Sequence, residues 1–174
     1  MKTLLRTIAL LIVAACVSNA ADAPATFKVS EFTFKRPGQW EWVSATSMMR
    51  KAQLRVPDPA KKDPGEVVFF HFGPGDGGGT KANVERWFGQ FQEAKNKKSE
   101  EVKVGNRKVT YVRTEGTYSS GMPGQPAVPK ANYALRGAII ESDQGNVFVK
   151  MTGPAPLVAS AEGDFKQMVE SALK

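Results

Sequence analysis

The residues that most invite a chemical reading run from Gly73 to Lys81, Gly-Pro-Gly-Asp-Gly-Gly-Gly-Thr-Lys. Five of the seven residues from Gly73 to Gly79 are glycine, so the backbone there can take positive φ angles and approach another group without Cβ interference. Gly73 to Gly78 satisfies the spacing GxGxxG after an apolar strand and before a helix. A dinucleotide site also needs repeated parallel strand-helix-strand units and an acidic residue closing the next strand, and the sequence supplies neither. A Walker loop is excluded as well, because Thr80 precedes Lys81 and its hydroxyl would not sit where Mg²⁺ requires it. What survives is narrower. The free N–H groups of a helix start favour an anion, and Gly77, Gly78, Gly79 and Thr80 with Lys81 and Arg86 form a candidate site for a carboxylate, sulfate or phosphate. The competing reading is a tight strand-to-helix corner in which Asp76 and Thr80 satisfy backbone donors.

Other reactive groups are sparse. His71 is the only histidine, which removes most routes to nucleophile activation and multi-histidine metal binding; a partly buried, hydrogen-bonded imidazole is expected. GxSxG and HExxH motifs are absent. Acidic residues are scattered without the spacing of a glycosidase pair, and Glu115 is the best single acid, with Arg113 or Lys108 as its expected partner. Trp40, Trp42 and Trp87 could line an aromatic platform, but Trp87 has helical core spacing. No catalytic residue, metal site or cofactor is assigned.

The elements that would position these groups follow from periodicity. Phe27 to Phe34 reads as a strand whose aromatic parity shifts, suggesting a bulge. Gln39 to Val43 is extended. Met49 to Val56 places Ala52, Leu54 and Val56 on one face and Lys51, Gln53 and Arg55 on the solvent face. Val67 to Phe72 is apolar on both parities, which predicts a strand central in its sheet. Lys81 to Ala94 predicts a helix capped by Thr80, with Val84, Trp87, Phe88 and Phe91 on one stripe and Gly89 in its middle. Gly105-Asn106 predicts a hairpin between Glu101 to Val104 and Arg107 to Tyr118. Ser119 to Lys130 is a Pro/Gly-rich loop suited to a lid, a partner-binding arm or a simple excursion. Tyr133 to Glu141 and Asn146 to Thr152 form a second hairpin, and Pro156 to Leu173 a closing helix, bent or starting nearer Ala161 because of Gly163. The expected class is α+β: two helices packed on a mainly antiparallel sheet.

The first twenty residues carry the parts of an export signal: Lys2 and Arg6, an apolar run from Thr7 to Ala15 too short to span a bilayer, and Ser18-Asn19-Ala20 as a cleavage site. Val13-Ala14-Ala15-Cys16 supports a second reading, a lipoprotein signal over 1–15 with Cys16 acylated. Both readings export the chain, to the periplasm or beyond, with membrane contact only through such an anchor. Of 174 residues, 154 follow Ala20, and the net charge of +7 falls to +5 without Lys2 and Arg6. One domain over 21–174 fits that length. Cys16 is the only cysteine, so no internal disulfide holds the domain. The basic clusters Lys61-Lys62 and Lys95, Lys97, Lys98 read as solvated loops. No basic patch interleaves with aromatics, so nucleic acid is not an expected partner.

The opening Phe32-x-Phe34-x-x-Pro37-x-x-Trp40, a helix after the fourth strand, paired strands and a closing helix whose Phe165 would pack on the sheet resemble the PsbP-like fold. The stretch from Phe70 to Phe91 and the later Gly116-Thr117-Tyr118 are also similar to segments of small exported bacterial proteins without an assigned function. The resemblance implies a binding or assembly-accessory domain, meeting an envelope protein or a small ligand, and carries no catalytic residue onto this chain. The alternative is a small hydrolase or transferase binding an anionic substrate at the Gly73–Lys81 turn.

Overall fold

The computed structural model describes residues 23–45, 47–119 and 128–174; the leader with Ala20 and Cys16, and most of the loop after Ser119, lie outside them. The elements are β1 (Thr26–Val29), β2 (Phe32–Lys35), β3 (Glu41–Val43), β4 (Arg50–Val56), β5 (Gly65–His71), α1 (Thr80–Phe88), β6 (Phe91–Val104), β7 (Arg107–Tyr118), β8 (Lys130–Ile140), β9 (Val147–Pro154), α2 (Ala155–Ser160) and α3 (Glu162–Ser171). β1 and β2 form a separate hairpin, and the others a seven-stranded sheet in the order β3-β4-β5-β9-β8-β7-β6. Every pairing is antiparallel. The architecture is α+β, as expected.

Apolar residues on both parities bury both faces of the inner strands. On one face, Leu54, Val67, Phe69, Ala138, Ile140, Val149 and Met151 meet the β1–β2 hairpin and Phe165, Met168 and Val169 of α3. Phe69 lies edge-on to Phe27 and Phe34, 5.0 Å from each ring centroid, and burying each such ring stabilises by roughly 1.5–3 kcal/mol. On the other face, Leu135, Ile139, Phe148 and Val112 meet Val84 and Trp87 of α1.

Several boundaries differ from the periodicity reading. The aromatic parity shift near Ser30 is a turn rather than a bulge: Val29 pairs with Phe32 and Phe27 with Phe34, and Ser30 takes φ 53°. All four apolar side chains thereby share one face. β5 is interior but not central. β9 occupies the middle of the sheet, and its residues from Val147 to Gly153 are all buried. The first helix ends at Phe88. Gly89 is its C-cap, its N–H reaching Glu85 O at 2.9 Å, so the expected cost of a mid-helix glycine does not arise. Phe91 begins β6 and joins the same core from a strand. A four-residue aromatic spacing thus spans a chain reversal. Lys95, Lys97 and Lys98 accordingly lie in β6, exposed at the sheet edge. Gln53, expected in solvent, is buried because Glu66 accepts its amide at 2.9 Å while Arg50 donates to its carbonyl oxygen at 3.0 Å. The closing helix is two segments hinged at Ala161, which is C-cap of α2 and N-cap of α3. Trp40 is fully buried, and Trp42 packs on the same core, so neither forms an exposed platform.

Trp87 settles directly over β8 at Gly137, where a Cβ would stand 2.2 Å from the indole. Gly137→Ala is expected to lower stability by roughly 1–3 kcal/mol and to shift the tryptophan emission, both measurable in one urea titration followed by fluorescence.

Candidate functional site

The glycine turn joins β5 to α1, and its conformation is held mainly by packing and by one amide. Gly77 and Gly78 take φ 82° and 78°, the left-handed region that favours glycine. A Cβ on Gly77 would stand 2.5 Å from the Phe72 ring, and one on Gly145 would stand 2.3 Å from the carbonyl oxygen of Gly73. The turn therefore lies backbone to backbone against the β8–β9 turn. His71 fastens the same corner, its Nε2–H donating to Gln144 O at 2.9 Å.

Thr80 does not cap α1. The N-cap is Gly79, without a side-chain cap bond, and the Thr80 hydroxyl donates to Glu141 Oε1 at 3.1 Å. The organising side chain is the buried Asn83, whose Nδ2 donates to the carbonyls of Gly77, Gly78 and Gly79 at 2.9, 3.2 and 3.1 Å. Arg86 Nη1 in turn donates to Asn83 Oδ1 at 3.0 Å. Lys81 and Arg86 are exposed, and their five-residue offset turns them about 140° apart around the helix. The turn thus points three carbonyls inward at an amide, with Arg86 engaged behind it.

Glu115 accepts from Asn96 Nδ2 rather than from a cation, and Lys108 pairs with Glu101 and Glu141 at 3.3 and 3.7 Å. Among the described residues no three metal-ligating side chains gather, and no helix is long and apolar enough to cross a membrane. A second polar cluster surrounds the buried Lys150 on the α1 face of the sheet. Its ammonium donates to Gln90 Oε1 at 3.2 Å and Tyr118 OH at 3.4 Å.

A recess lies between α3 and the β6–β7 hairpin, a cavity of about 500 Å³ lined by Val102, Val104, Tyr111, Phe165 and a set of charged residues. Register explains its composition. Lys98 stands opposite Arg113, and Arg113 opposite Arg136, so three cations lie in one cross-strand row over β6, β7 and β8. Lys166 extends from α3 over the Tyr111 ring at 5.3 Å. Arg136 pairs with Glu162 at 2.7 Å and Lys98 with Glu100 at 2.6 Å. Arg113 and Lys166 form no ion pair among the described residues. Lys98, with Lys166 and Arg113 behind it, holds the Glu100 carboxyl below its ordinary range. The Tyr111 hydroxyl is buried without a hydrogen-bond partner, and burial, assisted by Glu170, pushes it up to about 12. The sequence reading missed this groove, because cross-strand alignment of Lys98, Arg113 and Arg136 depends on two long-range registers. The Gly105-Asn106 hairpin signal could have found the Lys98–Arg113 pair.

No protein-family model and no curated protein matches the chain. Solved structures do. The chain is similar to cyanobacterial PsbP (CyanoP) from Synechocystis sp. PCC 6803, with TM-score 0.53 and 11% identity over 91% of this chain and 98% of that one. It is also similar to PA94 of Pseudomonas aeruginosa, a protein of unknown function, with TM-score 0.51 and 12% identity over 86% and 95%. The chain has a PsbP-like fold, and at these identities the likeness concerns fold alone.

Asn83→Ala removes the amide from three turn carbonyls and is expected to cost about 1–3 kcal/mol, read as a lower urea midpoint. Tyr111→Phe should be nearly neutral at pH 7. The folded-state pKa of Tyr111 lies above its ordinary value of 10.0, so the folded protein holds that proton more tightly. The resulting stability is fully present below pH 10.0 and is lost as pH rises towards about 12. The wild type should therefore lose more stability than Tyr111→Phe across that window in alkaline denaturation curves.

Proposed function

We propose that this chain is an exported, non-enzymatic binding or assembly-accessory domain that meets its ligand or partner in the groove between α3 and the β6–β7 hairpin. The observation that carries this reading is the groove itself, a recess of about 500 Å³ whose lining joins apolar side chains to charged ones, with two cations, Arg113 and Lys166, that form no ion pair among the described residues. Concave sites of this size with a few convergent polar groups are the usual form of a small-molecule site. The PsbP-like fold is compatible with an accessory role. Export rests on the signal-like first twenty residues.

A small hydrolase or transferase holding an anionic substrate at the glycine turn is the second reading. It is favoured by the two adjacent positive-φ glycines and by the exposed Lys81 beside them; the inward-facing carbonyls on Asn83 weigh against it. Phosphate or sulfate should raise the melting temperature under that reading, and Lys81→Ala with Arg86→Ala should abolish the rise.

Mass spectrometry of the chain recovered from its native envelope should find a mature terminus at Ala21 or an acylated Cys16, and an intact Met1 would overturn export. The purified domain is expected to show no turnover of ester, phosphoester or glycoside substrates. A turnover lost in His71→Ala or Glu115→Gln, with the fold intact by circular dichroism, would overturn the non-enzymatic reading.

A further inference from the structure

The row Lys98–Arg113–Arg136 is energetically unfavourable within the sheet. Like charges on directly opposed strand residues repel, and Arg113, in the middle, has a cation on each side. The groove's own carboxylates pair with the two ends and not with the centre: Glu100 bonds Lys98 and Glu162 bonds Arg136, while Arg113 feels Glu100 only at longer range. Lys166, arriving from α3, adds a further cation to the same space. Glu170 is the remaining carboxylate of the lining; it lies near Tyr111, one helical turn beyond Lys166, and forms no ion pair among the described residues.

Beyond the row the wall changes character. The next residue pairs towards the hairpin tip are Glu100 with Tyr111, then Val102 with Val109. Val104 follows on the same face of β6, and Phe165 closes the groove from α3. From the level of Lys98 to that of Val102 is four strand residues, about 14 Å. One end of the groove is therefore cationic and the other apolar, separated by the length of a short acyl chain.

We propose that this groove binds a free amphipathic oxoanion, a carboxylate or phosphate monoester on a short apolar chain, with its head on Arg113 and Lys166 and its body along Val102, Val104 and Phe165. This rests on the reading of the domain as a binder and names the ligand class of the same groove. The guanidinium fork of Arg113 matches either head group in two parallel hydrogen bonds, and an anion there neutralises the repulsion of the row. A recess of about 500 Å³ accommodates one such chain rather than a bilayer face.

Octanoate and octyl phosphate, titrated into the ¹⁵N-labelled domain, test the proposal, with octanol, octylammonium, inorganic phosphate and anionic phosphatidylglycerol vesicles as comparison probes. The expected result is saturable millimolar or tighter binding of at least one anionic amphiphile, with shifts confined to β6, β7 and α3. Which of the two binds more tightly distinguishes a carboxylate from a phosphate ligand. Octanol and inorganic phosphate should each bind about tenfold more weakly or worse, a loss of about 1.4 kcal/mol. Arg113→Gln with Lys166→Gln should weaken the amphiphile by about tenfold or more without lowering the melting temperature, since it relieves the repulsion of the row, and Lys81→Gln should change nothing. No saturation by either anionic amphiphile, equal binding of octanol or octylammonium, an unaffected double variant, or binding to vesicles alone would each overturn it. If the domain then captures another ligand whose shifts map to the same groove, the binding reading stands and only the ligand class falls.

Discussion

The inner strands of this sheet must be hidden on both faces, and most of the molecule follows from that requirement. β9 lies at the centre with β5 and β8 beside it, and its residues from Val147 to Gly153 are all buried. Antiparallel sheets often leave one face to water; here each face has its own cover. The β1–β2 hairpin and α3 close one side, and α1 closes the other. The second cover is short, and it gains depth by placing Trp87 against a strand position without a Cβ, Gly137. Phe91 adds to the same cluster after the chain has left the helix, so one aromatic group is assembled from helix and strand.

Covering the second face also accounts for the glycine turn. The chain must leave the end of β5, reverse and enter α1 while passing close to the β8–β9 turn. Glycine at 77 admits the Phe72 ring, and glycine at 145 admits the backbone of Gly73. Asn83 gathers three carbonyls of the turn, and His71 reaches across to Gln144. The carbonyls of Gly77, Gly78 and Gly79, the Thr80 hydroxyl and Arg86 are thus engaged in holding a corner. Three carbonyls of the turn converge on one amide, whereas a phosphate cradle is built from N–H groups aimed at one point.

The cover on the opposite face runs out at the sheet edge. α3 buries Phe165, Met168 and Val169 against the inner strands and the β1–β2 hairpin, and a helix about 10 Å wide leaves β6 half open. A charged edge discourages pairing with another chain, and β6 is rich in lysine. It is also interrupted by register shifts between Gln92 and Lys98, with Glu93 and Asn96 at positive φ. The same edge forms one wall of the groove, so protection of the sheet and a cation-lined recess arise from one strand.

The sequence by itself determined the elements whose causes are local. Alternation of apolar residues, the Gly105-Asn106 turn, the hairpin joining Glu141 to Asn146 and the apolar stripe of the closing helix all act over a few residues, and from them the antiparallel α+β class was readable. The aromatic frame from Phe32 to Trp40 and Phe165 likewise carried the PsbP-like resemblance. Tertiary structure decided what depends on distant partners. Gly89 could be a weak helical residue or a cap until Phe91 found its place in β6. Gln53 was a solvent-face residue until Arg50 and Glu66 enclosed it. Lys98, Arg113 and Arg136 are separated widely along the chain, and only the registers of β6 on β7 and of β7 on β8 set them in one row. Strand order and register are fixed by which faces can be buried together, a property of the whole sheet rather than of any segment.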